Sequence, residues 1–330
     1  MAITIKDIAN KAGISAASVS RILTNRGRFS EETAQRVRQL ANDMGYFKNQ
    51  SAADLSQKSS RVVGVLVPIT HTNFADEIIK GMQSKAYELG YELLIAFVTT
   101  DTQQQIKTVK SLLSRQLLAV VMLAIDIEDT VFDGLKSTDV KLLSVSNQLD
   151  NDIPSISSDN YAMMHTIIDY LYEHGHRQMA LIGSSDPDPI VAILRRRGFI
   201  DALTNHGISY NPDFIWGVEM TYQTGLDAIK KFGEPLPFTA VIGSADIISI
   251  GLLNGAIGAG ISVPNNLSIV TIDGTELTQL TRPTLTAAQQ NFAKMGELAI
   301  TTLANDSLSP HSMVFTDTIL VPGGTVSKII

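Results

Sequence analysis

The spacing of apolar side chains changes near residue 60 of this chain. Before that point, apolar residues recur at three- and four-residue intervals, which is the period of short amphipathic helices. Beyond it, short continuous apolar runs alternate with longer stretches that keep the helical period. The pattern therefore predicts a small all-α head followed by a larger α/β body.

Three short helices are predicted in the head. Thr4, Ser15 and Ser30 each stand directly before an apolar stripe, and their hydroxyls are suited to cap a helix N-terminus. Gly13 and Gly45 follow the first and third stripes and supply the backbone freedom that a helix end requires. The short turn between the first two helices indicates a helix-turn-helix arrangement.

The second predicted helix leaves a face of small side chains outside. Once its apolar residues are turned inward, the outward positions are Ala16, Ala17, Ser18 and Arg21. Small side chains would let the helix approach base edges in a major groove, where Arg21 could reach guanine or a phosphate. A helical hairpin packed on the body would show the same pattern, so this face alone does not decide between the two.

Seven apolar runs in the body predict buried strands, and helical stretches separate them. The strands are expected at 62–67, 93–97, 119–123, 142–145, 179–182, 240–242 and 269–272, and the helices include 76–89, 103–115, 162–174, 190–206, 222–232 and 247–259. This alternation implies parallel sheets with helices on both faces. Ligands of such sheets bind in the loops at the carboxyl ends of the strands.

Composition excludes several classes of protein. With 330 residues, 44% hydrophobic and 18% charged, the chain can build two or three compact units and is unlike a disordered protein. It has no Cys, which excludes disulfides, thiolate metal sites and cysteine nucleophiles. The six His residues form no ligand pattern with acids, and neither a nucleophile elbow nor a phosphate loop is present, so no metal, cofactor or enzymatic activity is expected.

The N-terminal residues lack the apolar core of a signal peptide. The longest apolar run, 117–125, has nine residues, about half a membrane span. We therefore expect a cytoplasmic protein with no membrane contact.

Charge is divided unevenly along the chain. Residues 1–60 hold nine basic and five acidic side chains, a net charge of +4, and the remainder holds 17 basic and 28 acidic side chains, a net charge of −11. A basic head on an acidic body suggests that a polyanion binds at one end only, although a solvated basic surface would look similar.

The head carries the motifs of a known family. Residues 5–9, 12–15 and 18–23, together with the Gly45-Tyr46 pair, resemble the head of the lactose repressor (LacI/GalR) family. In that family the start of the second helix and the Arg at its centre read the operator, and the resemblance transfers this role to Ala16, Ala17 and Arg21. The head residues expected to contact DNA are Thr4, Ser15, Ala16, Ala17, Ser18, Ser20, Arg21 and Asn25.

A hinge motif follows the head. Asn49, Ala52 and Leu55 match the family's hinge, which becomes helical only on DNA and wedges its Leu between base pairs of the minor groove. The resemblance therefore implies DNA contacts from these three residues. Lys48 stands where the family has Pro, and Asp54 brings an acid near the expected phosphates, which bears on hinge stability and DNA bending.

The body resembles the same family and the periplasmic sugar-binding proteins that share its fold, most clearly at 77–81, 175–177, 197–199 and 282–286. The implied fold is an all-α helix-turn-helix head plus a periplasmic-binding-protein-like α/β body of two doubly wound parallel-sheet lobes. The expected domains are 1–48 for DNA binding, 49–60 for the hinge helix and linker, and 61–330 for effector binding and dimerisation, with lobe one at about 61–161 plus 291–322 and lobe two at about 162–290 plus 323–330.

By this resemblance an effector binds between the lobes, where two residues supply the main chemistry. Arg195 matches the family's Arg that grips ligand hydroxyls or a carboxylate, and Asp273 matches its acid at a strand end. A fixed guanidinium and a carboxylate suit an array of hydroxyls. Alternatively, Arg195 belongs to a solvated helix face and Asp273 caps the next helix. The further effector-contact candidates are Phe74, Ser146, Asp159, Met220 and Asp246.

Two of these candidates depart from common family types. Ser146 stands in place of a frequent Asp, and Met220 in place of a frequent aromatic residue. The identity of the ligand therefore cannot be inferred from the best-known members of the family.

These observations predict a sequence-specific transcriptional regulator. We expect a repressor of a carbohydrate-utilisation operon that binds a pseudo-palindromic double-stranded operator as a homodimer. A sugar or sugar phosphate would control it allosterically, with a purine or another metabolite as alternative ligands. A solute-binding protein of a transport system would need a signal peptide or lipid anchor, and an enzyme would need a catalytic constellation.

Overall fold

The computed structural model describes residues 3–25, 27–46, 60–69, 74–125, 127–147, 152–185, 190–307 and 309–329. The chain divides into two compact units, the head Met1–Ser59 and the body Ser60–Ile330. The hinge residues Lys48, Asn49, Ala52, Asp54 and Leu55 lie outside the described residues, so the contacts expected of the hinge stay predictions.

Within its described residues, the head folds as three helices, as the sequence predicts. They are α1 (Ile5–Ala12), α2 (Ala16–Leu23) and α3 (Glu31–Asp43). Thr4 and Asp7 form a reciprocal cap at the start of α1, because the Asp7 carboxylate accepts from the Thr4 backbone N–H at 2.8 Å while Thr4 Oγ1 accepts from the Asp7 backbone N–H at 3.4 Å. Gly13 ends the helix with φ of 70°. The local signals in the sequence therefore correspond to real helix ends.

One apolar core holds the three head helices together. This core fully buries one residue of each helix, namely Ile8 of α1, Val19 of α2 and Val37 of α3. Arg36 on α3 adds a hydrogen bond from Nη2 to the Ala12 carbonyl at 3.2 Å, which ties the end of α1 to α3. The packing fixes the orientation of α2 within the head.

The body alternates strands with helices. Its strands are β1 (Val62–Pro68), β2 (Glu92–Val98), β3 (Ala119–Leu123), β4 (Lys141–Val145), β5 (Ser155–Ser158), β6 (Met179–Ile182), β7 (Ile215–Trp216), β8 (Ala240–Gly243), β9 (Ser268–Asp273), β10 (Thr286–Gln290), β11 (Met313–Thr316) and β12 (Thr318–Val321). Its helices are α4 (Phe74–Leu89), α5 (Thr102–Leu113), α6 (Asp129–Lys136), α7 (Asn160–Glu173), α8 (Ile190–Asn205), α9 (Tyr222–Phe232), α10 (Asp246–Gly258), α11 (Leu277–Leu280) and α12 (Phe292–Asn305), with a 3-10 turn at Pro212–Phe214.

These strands form two six-stranded sheets, one in each lobe. The first sheet has the order β11-β5-β4-β3-β1-β2, and its pairs are parallel. The second has the order β12-β10-β9-β8-β6-β7 and is parallel except for the antiparallel pair of β10 and β12. The two parallel-sheet lobes agree with the predicted fold class.

The lobe boundary near the C-terminus differs from the prediction. Residues 291–322 were expected to belong to lobe one, but Ile319 of β12 pairs with Gln289 of β10 in the second sheet. The chain therefore crosses back to lobe two between Thr316 and Thr318. No apolar run in the sequence distinguishes β11 from β12. Only their pairing partners, β5 and β10, show that the two strands belong to different sheets.

Helices cover both faces of each sheet with separate apolar clusters. The closest helix pair in lobe one is α4 and α12, which approach each other at glycines. A Cβ on Gly81 would lie 2.1 Å from the Ala293 carbonyl oxygen, and one on Gly296 would lie 2.0 Å from the Ile78 carbonyl oxygen. This contact holds α4 firmly against α12 in the core of lobe one.

Candidate functional site

The outward face of α2 is smaller than the sequence indicated. Ala17 and Arg21 are exposed, and Ser18 and Ser20 are partly exposed. Ala16, which was expected to face outward, is half-buried and packs on the head core, because the first turn of α2 lies close to the other helices. Ala17 and Arg21 are therefore the α2 side chains best placed to approach DNA.

Other predicted DNA-contacting residues shape the helix ends. Ser15 Oγ accepts from the Ser18 backbone N–H at 3.1 Å and so caps α2. Thr4 caps α1 as described above. Asn25, with φ of 53°, accepts a hydrogen bond on Oδ1 from Arg38 Nη2 at 2.7 Å. These residues set the geometry of the helix-turn-helix, and their contacts with DNA stay predictions.

In the body, Arg195 is buried and held on two sides. It lies in the middle of α8 with 5% of its surface exposed. Its Nε donates to Asn160 Oδ1 at 2.8 Å, and its Nη1 donates to the Ser244 carbonyl at 2.7 Å. Nη2 has no hydrogen-bond partner among the described residues. The interpretation of Arg195 as a solvated helix face is therefore wrong, and one edge of its guanidinium remains available.

Asp273 ends β9 close to Arg195. It is buried, and its backbone has φ of 102°, a conformation that non-glycine residues seldom adopt. Its Oδ1 accepts from Gln290 Nε2 at 2.9 Å. Burial, followed by the charge of Asp246, raises the pKa of Asp273 to about 8, although Arg195 acts in the opposite direction. Such strain and burial at one carboxyl are typical of functional sites.

Asp246 holds the loop that follows Asp273. It is the first residue of α10, and its two oxygens accept from the Thr271 hydroxyl at 2.9 Å, from the Gly274 backbone N–H at 3.2 Å, and from the backbone N–H and hydroxyl of Thr275 at 2.7 and 2.8 Å. Burial raises the pKa of Asp246, and these donors oppose the shift. We interpret Asp246 as a residue that positions the strand end carrying Asp273.

The other effector candidates make separate contacts. Phe74 stacks on Phe292 with ring centroids 5.1 Å apart. Met220 packs on an apolar cluster of lobe two, and Asp159 caps α7 by accepting from the Ala162 backbone N–H at 2.9 Å. Ser146, with φ of 63°, directly follows β4. Among the described residues, none of these four candidates forms a hydrogen bond with Arg195, Asp246 or Asp273.

Sequence reasoning missed the polar partners that hold the Arg195 and Asp273 side chains. Asn160 begins α7, Ser244 follows β8, and Gln290 ends β10. Each lies just beyond or at the carboxyl end of a strand, which is the position where ligands of parallel sheets are bound. That topological rule could have selected them, but no local pattern in the sequence marks them.

A pocket elsewhere in lobe two lacks this chemistry. It encloses about 420 Å³ between α9 and α10, and apolar residues such as Leu226, Ile229 and Ile261 line much of it. No buried guanidinium or carboxylate points into it among the described residues. The Arg195 and Asp273 region is therefore the better candidate for recognition of a polar ligand.

Within the described ranges, no group of three or more His, Asp or Glu residues is arranged to hold a metal ion. None of the helices that the structure describes has both the length and the apolar character needed to cross a membrane.

Comparison with known proteins identifies the family. Residues 4–49 match the bacterial regulatory proteins of the lacI family, and residues 168–326 match the periplasmic binding protein-like domain. The crystal structure of a LacI family transcriptional regulator, CCPA, from Weissella paramesenteroides with bound sucrose is 37% identical, with a TM-score of 0.76 over 82% of this chain and 100% of that chain. The chain belongs to the lacI family of bacterial regulatory proteins.

Curated relatives match this chain over most of its length. The transcriptional repressor CytR of Escherichia coli K12 is 29% identical over 94% of this chain and 91% of its own length. Catabolite control protein A of Priestia megaterium is 27% identical over 91% of both chains. These lacI-family relatives confirm the prediction of a DNA-binding transcriptional regulator rather than an enzyme.

The lac repressor has a similar fold. The crystal structure of its dimer, bound to operator and the anti-inducer ONPF, has a TM-score of 0.86 over 99% of this chain and 100% of that chain at 22% identity. This likeness confirms the predicted fold class of a helix-turn-helix head with a two-lobed α/β body.

Proposed function

We propose that this lacI-family regulator is a cytoplasmic repressor that binds a pseudo-palindromic operator as a homodimer and responds to a sugar or sugar phosphate. The observation that supports the effector role is the burial of Arg195, on α8, close to Asp273, at the carboxyl end of β9. A buried guanidinium with one unused edge and a strained carboxyl suit a ligand rich in hydroxyl groups. The sucrose-bound relative supports the same class of ligand.

The head supports the DNA half of this proposal. Ala17 presents almost no side chain, so the backbone of α2 can come close to base edges, and Arg21 extends beside it with no side-chain hydrogen bond among the described residues. A single short helix contacts few base pairs, so two heads on adjacent half-sites would be needed for specificity. The dimer of the lac repressor supports this arrangement.

Coupling between effector binding and operator binding would act through the angle between the lobes. A ligand that contacts both lobes favours one interlobe angle, and that angle would favour or disfavour helix formation in the proposed hinge at 49–60. A coupling free energy of about 1–3 kcal/mol corresponds to a change of about 5- to 150-fold in operator affinity. Leu55→Ala should then weaken binding to the operator more than binding to random duplex.

Selection of fragments from the organism's own genome tests the assignment. Purified protein should enrich a two-fold symmetric site, and Arg21→Ala should weaken binding to that site by about 1–3 kcal/mol. Lys11→Ala, which removes an exposed charge from α1 of the head, is the control for loss of charge alone.

Two results would contradict the proposal. Equal binding of every genomic fragment and random duplex would exclude regulation of a specific operator. An operator affinity that no sugar or sugar phosphate alters would exclude the proposed class of effector.

A further inference from the structure

The turn that joins α2 to α3 in the head is anchored at both ends. At its start, Asn25 has φ of 53°, and its Oδ1 accepts from Nη2 of Arg38 on α3 at 2.7 Å. At its end, Ser30 caps α3 by accepting from the Thr33 backbone N–H at 3.3 Å. Both anchors belong to or bind α3, so this helix holds the turn in place beside α2.

Within this turn, Gly27 meets two side chains at one point of its surface. A Cβ on Gly27 would lie 3.1 Å from Cε2 of Phe29 and 3.8 Å from Cδ of Arg21. The Phe29 ring and the methylene groups of Arg21 therefore flank the same backbone position. Gly27 has φ of 101°, which favours glycine, and the absence of a side chain leaves room for both neighbours.

Phe29 is placed beside Arg21 rather than in the core of the head. With 36% of its surface exposed, it is the one large apolar side chain among the described head residues that lies exposed. The head core is built from other residues of the three helices. The methylene groups of a long cationic side chain pack readily on apolar surface while its charged end stays in water. The turn therefore offers an apolar support to the stem of Arg21.

From these contacts we propose that Gly27 and Phe29 are positioning residues that orient Arg21 for reading a base edge. The inference rests on the proposed contact of Arg21 with DNA and adds the residues that direct it. Among the described residues, the Arg21 guanidinium has no hydrogen-bond partner, so no polar contact fixes its direction. A wall of backbone and aromatic ring beside the Arg21 stem excludes part of its rotamers before DNA arrives, which reduces the conformational entropy lost on binding.

The orientation of Arg21 should affect the operator more than random duplex. A bidentate contact with a base edge requires one orientation of the guanidinium plane, whereas attraction to phosphates is satisfied by many. Loss of the Phe29 ring should therefore reduce the preference for the operator and leave nonspecific binding nearly unchanged.

A double-mutant cycle in the full chain tests this role. The parent, Phe29→Ala, Arg21→Ala and the double variant are titrated with the operator selected from genomic fragments and with random duplex. We expect Phe29→Ala to weaken operator binding by about threefold to tenfold and binding to random duplex by less than about twofold. In the Arg21→Ala background, Phe29→Ala should change operator binding by less than about twofold, because no stem remains to be oriented.

Two further variants separate positioning from other effects. Phe29→Leu keeps an apolar side chain beside Gly27 and should retain most of the preference for the operator. Lys11→Ala removes an exposed charge from α1, outside the contact at Gly27, and its effect should be the same with and without Arg21. Thermal melting of each variant confirms that it remains folded.

The outcomes distinguish this inference from the proposed function. An equal loss from Phe29→Ala in both backgrounds shows that Phe29 acts through its own DNA contact or through folding of the head, and overturns the positioning role. So does a loss that is equal on operator and random duplex, or no loss at all. If Arg21→Ala still weakens operator binding in those cases, the proposed function stands. If no operator is enriched, or if Arg21→Ala leaves operator binding unchanged, the proposed contact of Arg21 and this inference fall together.

Discussion

Arg195 donates its Nε–H to Oδ1 of Asn160 at 2.8 Å and thereby joins the middle of α8 to the first turn of α7. The Nη1 bond to the Ser244 carbonyl adds a third element to the same side chain. The guanidinium is therefore fixed in orientation before any ligand arrives, so a ligand need not restrict a flexible side chain on binding. The same bonds give Arg195 a structural role beside its proposed recognition role.

Replacing Arg195 should separate effector response from DNA binding. In Arg195→Ala, the Nη2 edge is lost, and the effector should no longer change operator affinity. The buried Asn160 amide also loses a charged partner, so the free energy of unfolding should fall by about 1–3 kcal/mol. Operator binding without effector should survive, as a titration of labelled operator at a temperature below the melting transition will show.

Arg197→Ala is the matched control for that variant. Arg197 lies two residues further along α8, its side chain is 71% exposed, and its ion pair with Asp201 at 3.6 Å is a surface contact worth little energy. A normal effector titration in Arg195→Ala, or the same loss in Arg197→Ala, would exclude a specific role for Arg195.

The buried Asp273 carboxyl should make the free protein less stable as pH rises. Its folded-state pKa of about 8 lies above the ordinary value of 3.8, so the folded state holds the proton more tightly than the unfolded chain. The contribution of Asp273 to the free energy of unfolding is therefore fully present below about pH 4 and is lost as pH rises to about 8. Asp273→Asn, which keeps the shape without the ionisation, should be more stable at pH 7 by about 1–3 kcal/mol.

Urea denaturation of both proteins at several pH values measures this effect. The stability difference between Asp273→Asn and the parent should grow between pH 5 and pH 8, and other carboxyl groups cancel because they are common to both. A difference that does not vary with pH would show that Asp273 is not the titrating group.

His176 should impose the opposite pH dependence. Its Nε2 lies 3.2 Å from the Ser327 carbonyl and its Nδ1 lies 2.8 Å from the Thr239 hydroxyl, so a neutral ring can satisfy both. Burial is the main cause that lowers the pKa of His176 below 6.5. Its contribution to stability is therefore complete above about pH 6.5 and is lost as pH falls through the folded-state pKa. In His176→Gln, the decline in melting temperature between pH 7 and pH 5 should be shallower than in the parent, and parallel curves would disprove this role.

Gly296 should be intolerant of any side chain. In Gly296→Ala, the new Cβ would lie 2.0 Å from the Ile78 carbonyl oxygen, so α4 and α12 must move apart. We expect a loss of about 1–3 kcal/mol in the free energy of unfolding. Gly134→Ala in α6 is the control, since nothing lies within 4 Å of its Cβ and a helical Ala should add about 0.5–1 kcal/mol. Equal effects of the two substitutions in chemical denaturation would contradict the close helix contact.

The sequence predicted the central strands well because their side chains are buried on both faces. β3 and β8, for example, are buried along their whole length and appear as continuous apolar runs. No apolar run predicts β5 or β10, since their sequences, SISS and TAAQQ, are largely polar. Their partners in the sheet, rather than their own apolar content, make them strands.

Dependence on distant partners also limited how much of the candidate site the sequence could predict. Arg195 and Asp273 were selected by their position in family motifs, but Gln290 became visible only when β10 lay beside β9. Asp246 was expected to face ligand, and its four donors from 271–275 show how a carboxylate can instead organise a loop. Such roles depend on contacts between distant parts of the chain, which no local pattern encodes.

The order in which the strands enter the sheets affects synthesis of the protein. The first sheet begins with β1 but is completed only by β11 at Met313–Thr316, and the second is completed by β12 after that. The apolar core of the head, by contrast, consists only of residues from the head itself. On a ribosome the helix-turn-helix head can therefore fold long before the two lobes exist. We expect a nascent or truncated chain to carry a folded DNA-binding head without the lobes proposed to bind an effector.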